Sequence, residues 1–241
     1  MINGQWLSQL YPHRHRLLSV WLLLCCTLPG KGHAQTSIAS IEQLNDFAEN
    51  YYLTPTPELI SSALRFVSRL GAAWQVENEA ALTAFFNCAF NRYKGEWHVR
   101  WRNDIRQFTP RNQVLFTTLL EHGPNRILVQ VPPSAVKNDM YWGCYFATGD
   151  KRYLEAVVNG LNYLGERRQR DRFLMAATAK WSLMKNSQAH IGVKARLIEL
   201  SRSYHLYWRN QALDMLRRQP EEVSAETADI LNAQRQLGIW Q

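Results

Sequence analysis

Thr56-Pro57-Glu58-Leu59-Ile60-Ser61-Ser62-Ala63-Leu64-Arg65-Phe66-Val67-Ser68-Arg69-Leu70-Gly71 carries the start, face and stop signals of an α-helix. Thr56 is an N-cap residue type, Pro57 fits the first helical position, and Glu58 places an acid in the first turn. Leu59, Ile60, Ala63, Leu64, Val67 and Leu70 recur at three- and four-residue spacing and line one face. Gly71 supplies the stop.

Working outward, the same signals repeat. The spacing of Ile41, Leu44, Phe47 and Tyr51 predicts an amphipathic helix over 38–51. Asn78 or a neighbour opens the next, with Ala81, Leu82, Phe85, Phe86, Ala89 and Phe90 buried. Further helices are predicted over 96–108, 110–121 and 133–148. Asp150 caps one over 151–164. Helices over 171–185 and 188–218 follow, the latter broken near Tyr204. Ser224 caps a last one to about Leu237. Arg126–Val131 (RILVQV) has strand character, but no second β-rich run exists to pair with it. It reads as an extended connector between Gly123-Pro124 and Pro132-Pro133. The expected fold is all-α: stacked antiparallel helical hairpins, as an α-solenoid-like array or an irregular bundle.

Residues 1–34 read as a removable export segment. Arg14 and Arg16 precede the apolar run Leu17 to Thr27, Pro29 and Gly30 break it, and Gly32-His33-Ala34 puts small residues at −3 and −1 of a cleavage before Gln35. The apolar run is shorter than the roughly 20 residues needed to span a bilayer. The alternative is a lipid anchor on Cys25 or Cys26, which Leu24, bulky where small residues are favoured, argues against. The remaining 35–241 reads as a single all-helical domain, exported to the periplasm or beyond the cell. Of the four cysteines, Cys88 and Cys144 stay in that part. They form a disulfide or serve as two small buried hydrophobes.

Composition excludes several classes. The chain has 46% hydrophobic and 20% charged residues, which rules out a disordered or multi-span membrane protein. No serine-hydrolase elbow, zinc-protease helix, Cys-x-x-Cys or phosphate loop is present. Of His98, His122, His190 and His205, the last two could share a helix. Fifteen residues at 1.5 Å would then put them about 22 Å apart, too far to share a metal. No metal site, cofactor or catalytic residue is expected, and the adjacent acids Glu77/Glu79 and Glu221/Glu222 fall at predicted helix starts.

Charge is unevenly spread. Residues 151–218 hold 14 Lys and Arg against 5 acids, whereas 35–150 hold 10 against 11. Arg167, Arg168, Arg170 and Arg172 fall at one turn and are the candidate binding residues, for an acidic protein face or an anionic surface. A solvated face serving only solubility is the plainer alternative. Nucleic acid is not expected as a partner: Trp142, Phe173, Trp181 and Trp208 fall in apolar helical patterns rather than on stacking platforms.

Two blocks echo each other. Phe85-Phe86-Asn87-Cys88-Ala89-Phe90 matches Tyr141-Trp142-Gly143-Cys144-Tyr145-Phe146 at an offset of 56. The run from Tyr141 through Ala147-Thr148-Gly149-Asp150-Lys151-Arg152-Tyr153, with Ala179-Lys180-Trp181-Ser182-Leu183 and the Tyr51-Tyr52-Leu53-x-Pro55-x-Pro57-Glu58-Leu59 start, resembles uncharacterised bacterial exported proteins with tetratricopeptide-like helical hairpins. The resemblance implies a helical stack and no stated activity; the helical build, the echo and the lack of a recognisable catalytic cluster together lead to the expectation of a protein that acts by protein–protein interaction. The resemblance carries no catalytic residue, and the chain lacks a sustained 34-residue period. The alternatives are an envelope-polymer hydrolase whose site is assembled from distant residues, and a basic peripheral module at an anionic surface.

Overall fold

The computed structural model describes residues 37–70 and 79–240. The expected export segment 1–34, with Cys25 and Cys26, and the expected helix signals at Gly71 and Asn78 lie outside them. Ser40 decides where the first described helix begins. Its hydroxyl accepts the Gln43 N–H at 3.2 Å, and the Gln43 side chain accepts the Ala39 N–H at 2.8 Å. Helix α1 therefore runs Ile41–Asn50, three residues later than periodicity predicts. Ile38 precedes it, buried, with its N–H donated to the Ser62 hydroxyl.

Twelve α-helices and no strand are found among the described residues, so the chain is all-α. After α1 come α2 (Pro57–Leu70), α3 (Glu79–Arg92), α4 (Glu96–Ile105), α5 (Pro110–Glu121), α6 (Pro124–Gln130), α7 (Ala135–Thr148) and α8 (Lys151–Gly160). Then follow α9 (Arg170–Ala189), α10 (Ile191–Ser201), α11 (Leu206–Arg217) and α12 (Pro220–Gln236). None is long and apolar enough to cross a membrane.

Three sequence readings are corrected. Arg126–Val131 is mostly helical, not extended: Pro124 takes the first helical position after Gly123, and without a partner strand the helix satisfies the backbone internally. Only Val131, which precedes Pro132, is extended. Ser224 does not cap the last helix. Gln219 does, in a reciprocal pair with Glu222, and Ser224 sits one turn inside, its hydroxyl donating to the Pro220 carbonyl. The 188–218 stretch breaks at His190 as well as at residues 202–205. Asp150 does cap α8, accepting the Arg152 N–H at 2.9 Å. Gly149 makes this tight junction possible by closing α7 at φ 69°, a left-handed conformation that costs glycine little.

The core is built around α3 and α7. Gly143 lets the two backbones touch: a Cβ there would lie 2.1 Å from the Ala81 carbonyl oxygen. Beyond that contact Cys88 and Cys144 are joined as a disulfide with Cα atoms 5.2 Å apart. Further along, the Arg92 guanidinium reaches the Ala147 and Thr148 carbonyls. Aromatic rings fill the gaps on both sides, with Phe86 edge-on to Phe85 and Phe116, and Trp142 stacked on Phe146. Trp142 is buried as its pattern predicts, and its indole N–H donates to the Ser182 hydroxyl at 2.9 Å. One buried cluster runs from Ile38 to Val223, and a smaller one gathers Phe173, Ala177, Leu231 and Trp240.

Candidate binding site at the arginine turn

Residues 164–172 join the turn after α8 to the start of α9. Glu166 organises this segment. One of its carboxylate oxygens accepts the backbone N–H groups of Arg167, Arg168 and Gln169 at 2.7–3.2 Å. Those bonds, with the nearby Arg172 charge, hold its carboxyl below the usual carboxylate range.

The four arginines are not equivalent. Arg167 donates through Nη1 to the Leu164 and Glu166 carbonyls at 2.8 and 2.9 Å, and its guanidinium lies 5.2 Å from the centre of the Phe173 ring. Arg172 lies 5.3 Å from the Tyr163 ring. Both positions suit cation–π attraction and hold the side chains in place. Arg168 is exposed and Arg170 half-buried. None of the four forms an ion pair among the described residues, in contrast to Arg65, Arg152, Arg196 and Arg218.

Behind the turn lies a cavity of about 110 Å³ between α9, α11 and α12. Phe173, Ala177, Val223 and Ile230 give it an apolar wall, and Arg167, Lys180, Gln211 and Glu226 its polar points. The Lys180 side chain is only 8% exposed; it pairs with Asp214 at 2.7 Å and approaches Glu226 at 4.0 Å. Arg218 ties Asp214, Glu222 and Glu226 together. This arrangement compensates the buried ammonium, whose desolvation would otherwise be costly. The Gln211 side-chain carbonyl oxygen is buried with no hydrogen-bond donor. Periodicity and charge counting singled out Arg167 but missed Lys180, Gln211 and Glu226, which come from three helices. The one available signal was a lysine inside the apolar run Met175–Trp181.

The histidines do not meet. His98 donates from Nε2 to the Phe90 carbonyl at 2.9 Å, and His122 from Nδ1 to Thr118 at 3.0 Å. His205 is exposed. His190 is buried among Tyr52 and Phe146, with Nδ1 3.2 Å from the Tyr52 hydroxyl and Nε2 unpartnered. Burial lowers its pKa below the ordinary histidine value and pushes the neighbouring Tyr145 phenol up to about 12. No group of three metal-ligating side chains occurs among the described residues. A second, shallower groove of about 250 Å³, lined by Leu128, Val129, Lys137, Tyr141, Arg152 and Tyr153, lies where α6, α7 and α8 meet. Its two cations are engaged: Lys137 donates to the Val131 carbonyl at 2.7 Å and Arg152 is bound to Asp150. No protein-family model, curated protein or solved structure matches the chain.

Proposed function

We propose that the chain is an exported helical binding protein whose arginine turn holds an acidic segment of a partner protein. The observation that carries this reading is the contrast in charge pairing. Four arginines within six residues form no ion pair among the described residues: the Glu166 carboxylate beside them is engaged by backbone N–H groups, and aromatic rings hold Arg167 and Arg172. Fixing like charges close together is unfavourable unless something anionic offsets them, and an acidic segment does so. Export is supported by the Cys88–Cys144 bond, since such bonds form and persist in oxidising compartments. That bond also joins equivalent positions of the two echoed aromatic blocks, in keeping with a duplicated helical unit.

The test compares capture by the full chain and by its Arg168→Glu/Arg170→Glu variant from an envelope extract, at low and moderate salt. Both positions lie outside the large buried cluster, so the fold is expected to survive, as circular dichroism would verify. A protein retained by the wild type and lost from the variant supports the reading. Equal retention by both, or retention of anionic lipid alone, contradicts it.

A further inference from the structure

The cavity behind the turn carries a more specific recognition chemistry. Arg167 lines it and uses only Nη1 within the protein. Its Nε and Nη2 hydrogens have no acceptor among the described residues. A guanidinium with five N–H donors offers there the paired donors that match a carboxylate. Gln211 lines the same cavity, and its buried carbonyl oxygen has no donor. An orphan acceptor of this kind calls for an N–H or O–H from something that enters. Between these points stand Phe173, Ala177, Val223 and Ile230, which accept an apolar group. The volume, about 110 Å³, is below the roughly 150 Å³ that admits a benzene ring, so the apolar group is small.

We infer that the cavity receives the C-terminal residue of the partner, an inference that rests on the binding role proposed for the turn. The terminal carboxylate pairs with Arg167, the last peptide N–H donates to Gln211, and a small side chain such as alanine lies against Phe173 and Val223. The preceding acidic residues cross Arg168 and Arg170 at the rim. A peptide C-terminus is the occupant whose carboxylate, amide donor and apolar group match Arg167, Gln211 and the apolar wall at once, while Glu226, the acid that also lines the cavity, is paired with Lys180 and Arg218. A free carboxylate lacks the amide N–H, and an amidated chain end lacks the carboxylate. Capture of a terminal carboxylate by converging N–H donors is a known recognition mode.

Fluorescence anisotropy with the full chain tests this, using a labelled ten-residue peptide rich in glutamate and ending in alanine. The free acid is expected to bind at least tenfold more tightly than the same peptide amidated at its C-terminus. Replacing the terminal alanine by tryptophan is expected to abolish that advantage. Gln211→Leu is expected to weaken the free acid several-fold while the melting temperature is kept, and Arg168→Glu/Arg170→Glu to weaken both peptide forms by the same factor. Equal affinity for acid and amide would overturn the C-terminal assignment and leave the rim to act alone. Failure of both peptides to bind at millimolar concentration would also overturn it, and the extract experiment would then decide the broader reading separately.

Discussion

Gly143→Ala puts a number on the contact at the centre of the fold. The new Cβ would lie 2.1 Å from the Ala81 carbonyl oxygen, 2.9 Å from the Phe85 nitrogen and 3.0 Å from the Ala81 carbonyl carbon. All three are backbone atoms, so no side chain can swing aside. Reaching ordinary contact requires α3 and α7 to separate by more than about 1 Å, which loosens the rings packed along both helices. Overpacking typically costs about 1–3 kcal/mol and more where backbone must move. Alanine in a helix interior recovers about 1 kcal/mol of propensity. With the clash near or above the top of its range, the net loss is about 2–4 kcal/mol. For a chain of this size that is a fall in melting temperature of roughly 4–16 °C. Thermal unfolding followed by circular dichroism, with the disulfide intact, reads it directly. Gly165→Ala is the control: its Cβ would meet nothing within 4 Å, and the change should be neutral or slightly stabilising. If Gly143→Ala raised the melting temperature, propensity would have outweighed the clash and the close approach of the helices would be wrong.

Three further outcomes follow from the same packing. Trp142→Ala should cost about 3–5 kcal/mol in denaturant unfolding, since it empties a buried aromatic site and leaves Ser182 without its donor; an unchanged midpoint would place the indole at the surface. Replacing both Cys88 and Cys144 by alanine should cost about 4 kcal/mol, from the entropy returned to the unfolded chain by opening a loop with a sequence separation of 56, and the oxidised protein should show no free thiol at these positions. Burial lowers the His190 pKa, so the unfolded chain takes up its proton at higher pH than the folded one. Its contribution is complete above the ordinary histidine range and is lost as pH falls below about 6.5. The melting temperature of His190→Gln should therefore fall less between pH 7.5 and 5.5 than that of the wild type, and identical pH slopes would refute the burial.

The all-helical build was legible because its signals are local. Pro57, Asp150 and the Leu59–Leu70 stripe each act within a turn or two of their own helix, and the structure uses them as the sequence implies. Errors fell where two local rules compete. At Ile127-Leu128-Val129 the β-favouring composition lost to Pro124 at a helix start, and at the last helix the Gln219/Glu222 pair pre-empted Ser224. The arginine turn was visible as a run of charge. The cavity behind it was not: Lys180, Gln211 and Glu226 are separated by up to 46 positions and meet only through the packing of α9, α11 and α12. Nor could the sequence separate Arg167, half tied to carbonyls, from exposed Arg168.

Hydrogen–deuterium exchange of the full chain, alone and with the partner it captures, tests the central claim most directly. Binding at the arginine turn requires new protection in residues 164–173 and at the facing parts of α11 and α12, with α4 and α5 unchanged. Protection confined to other helices, with residues 164–173 exchanging as in the free chain, would contradict it.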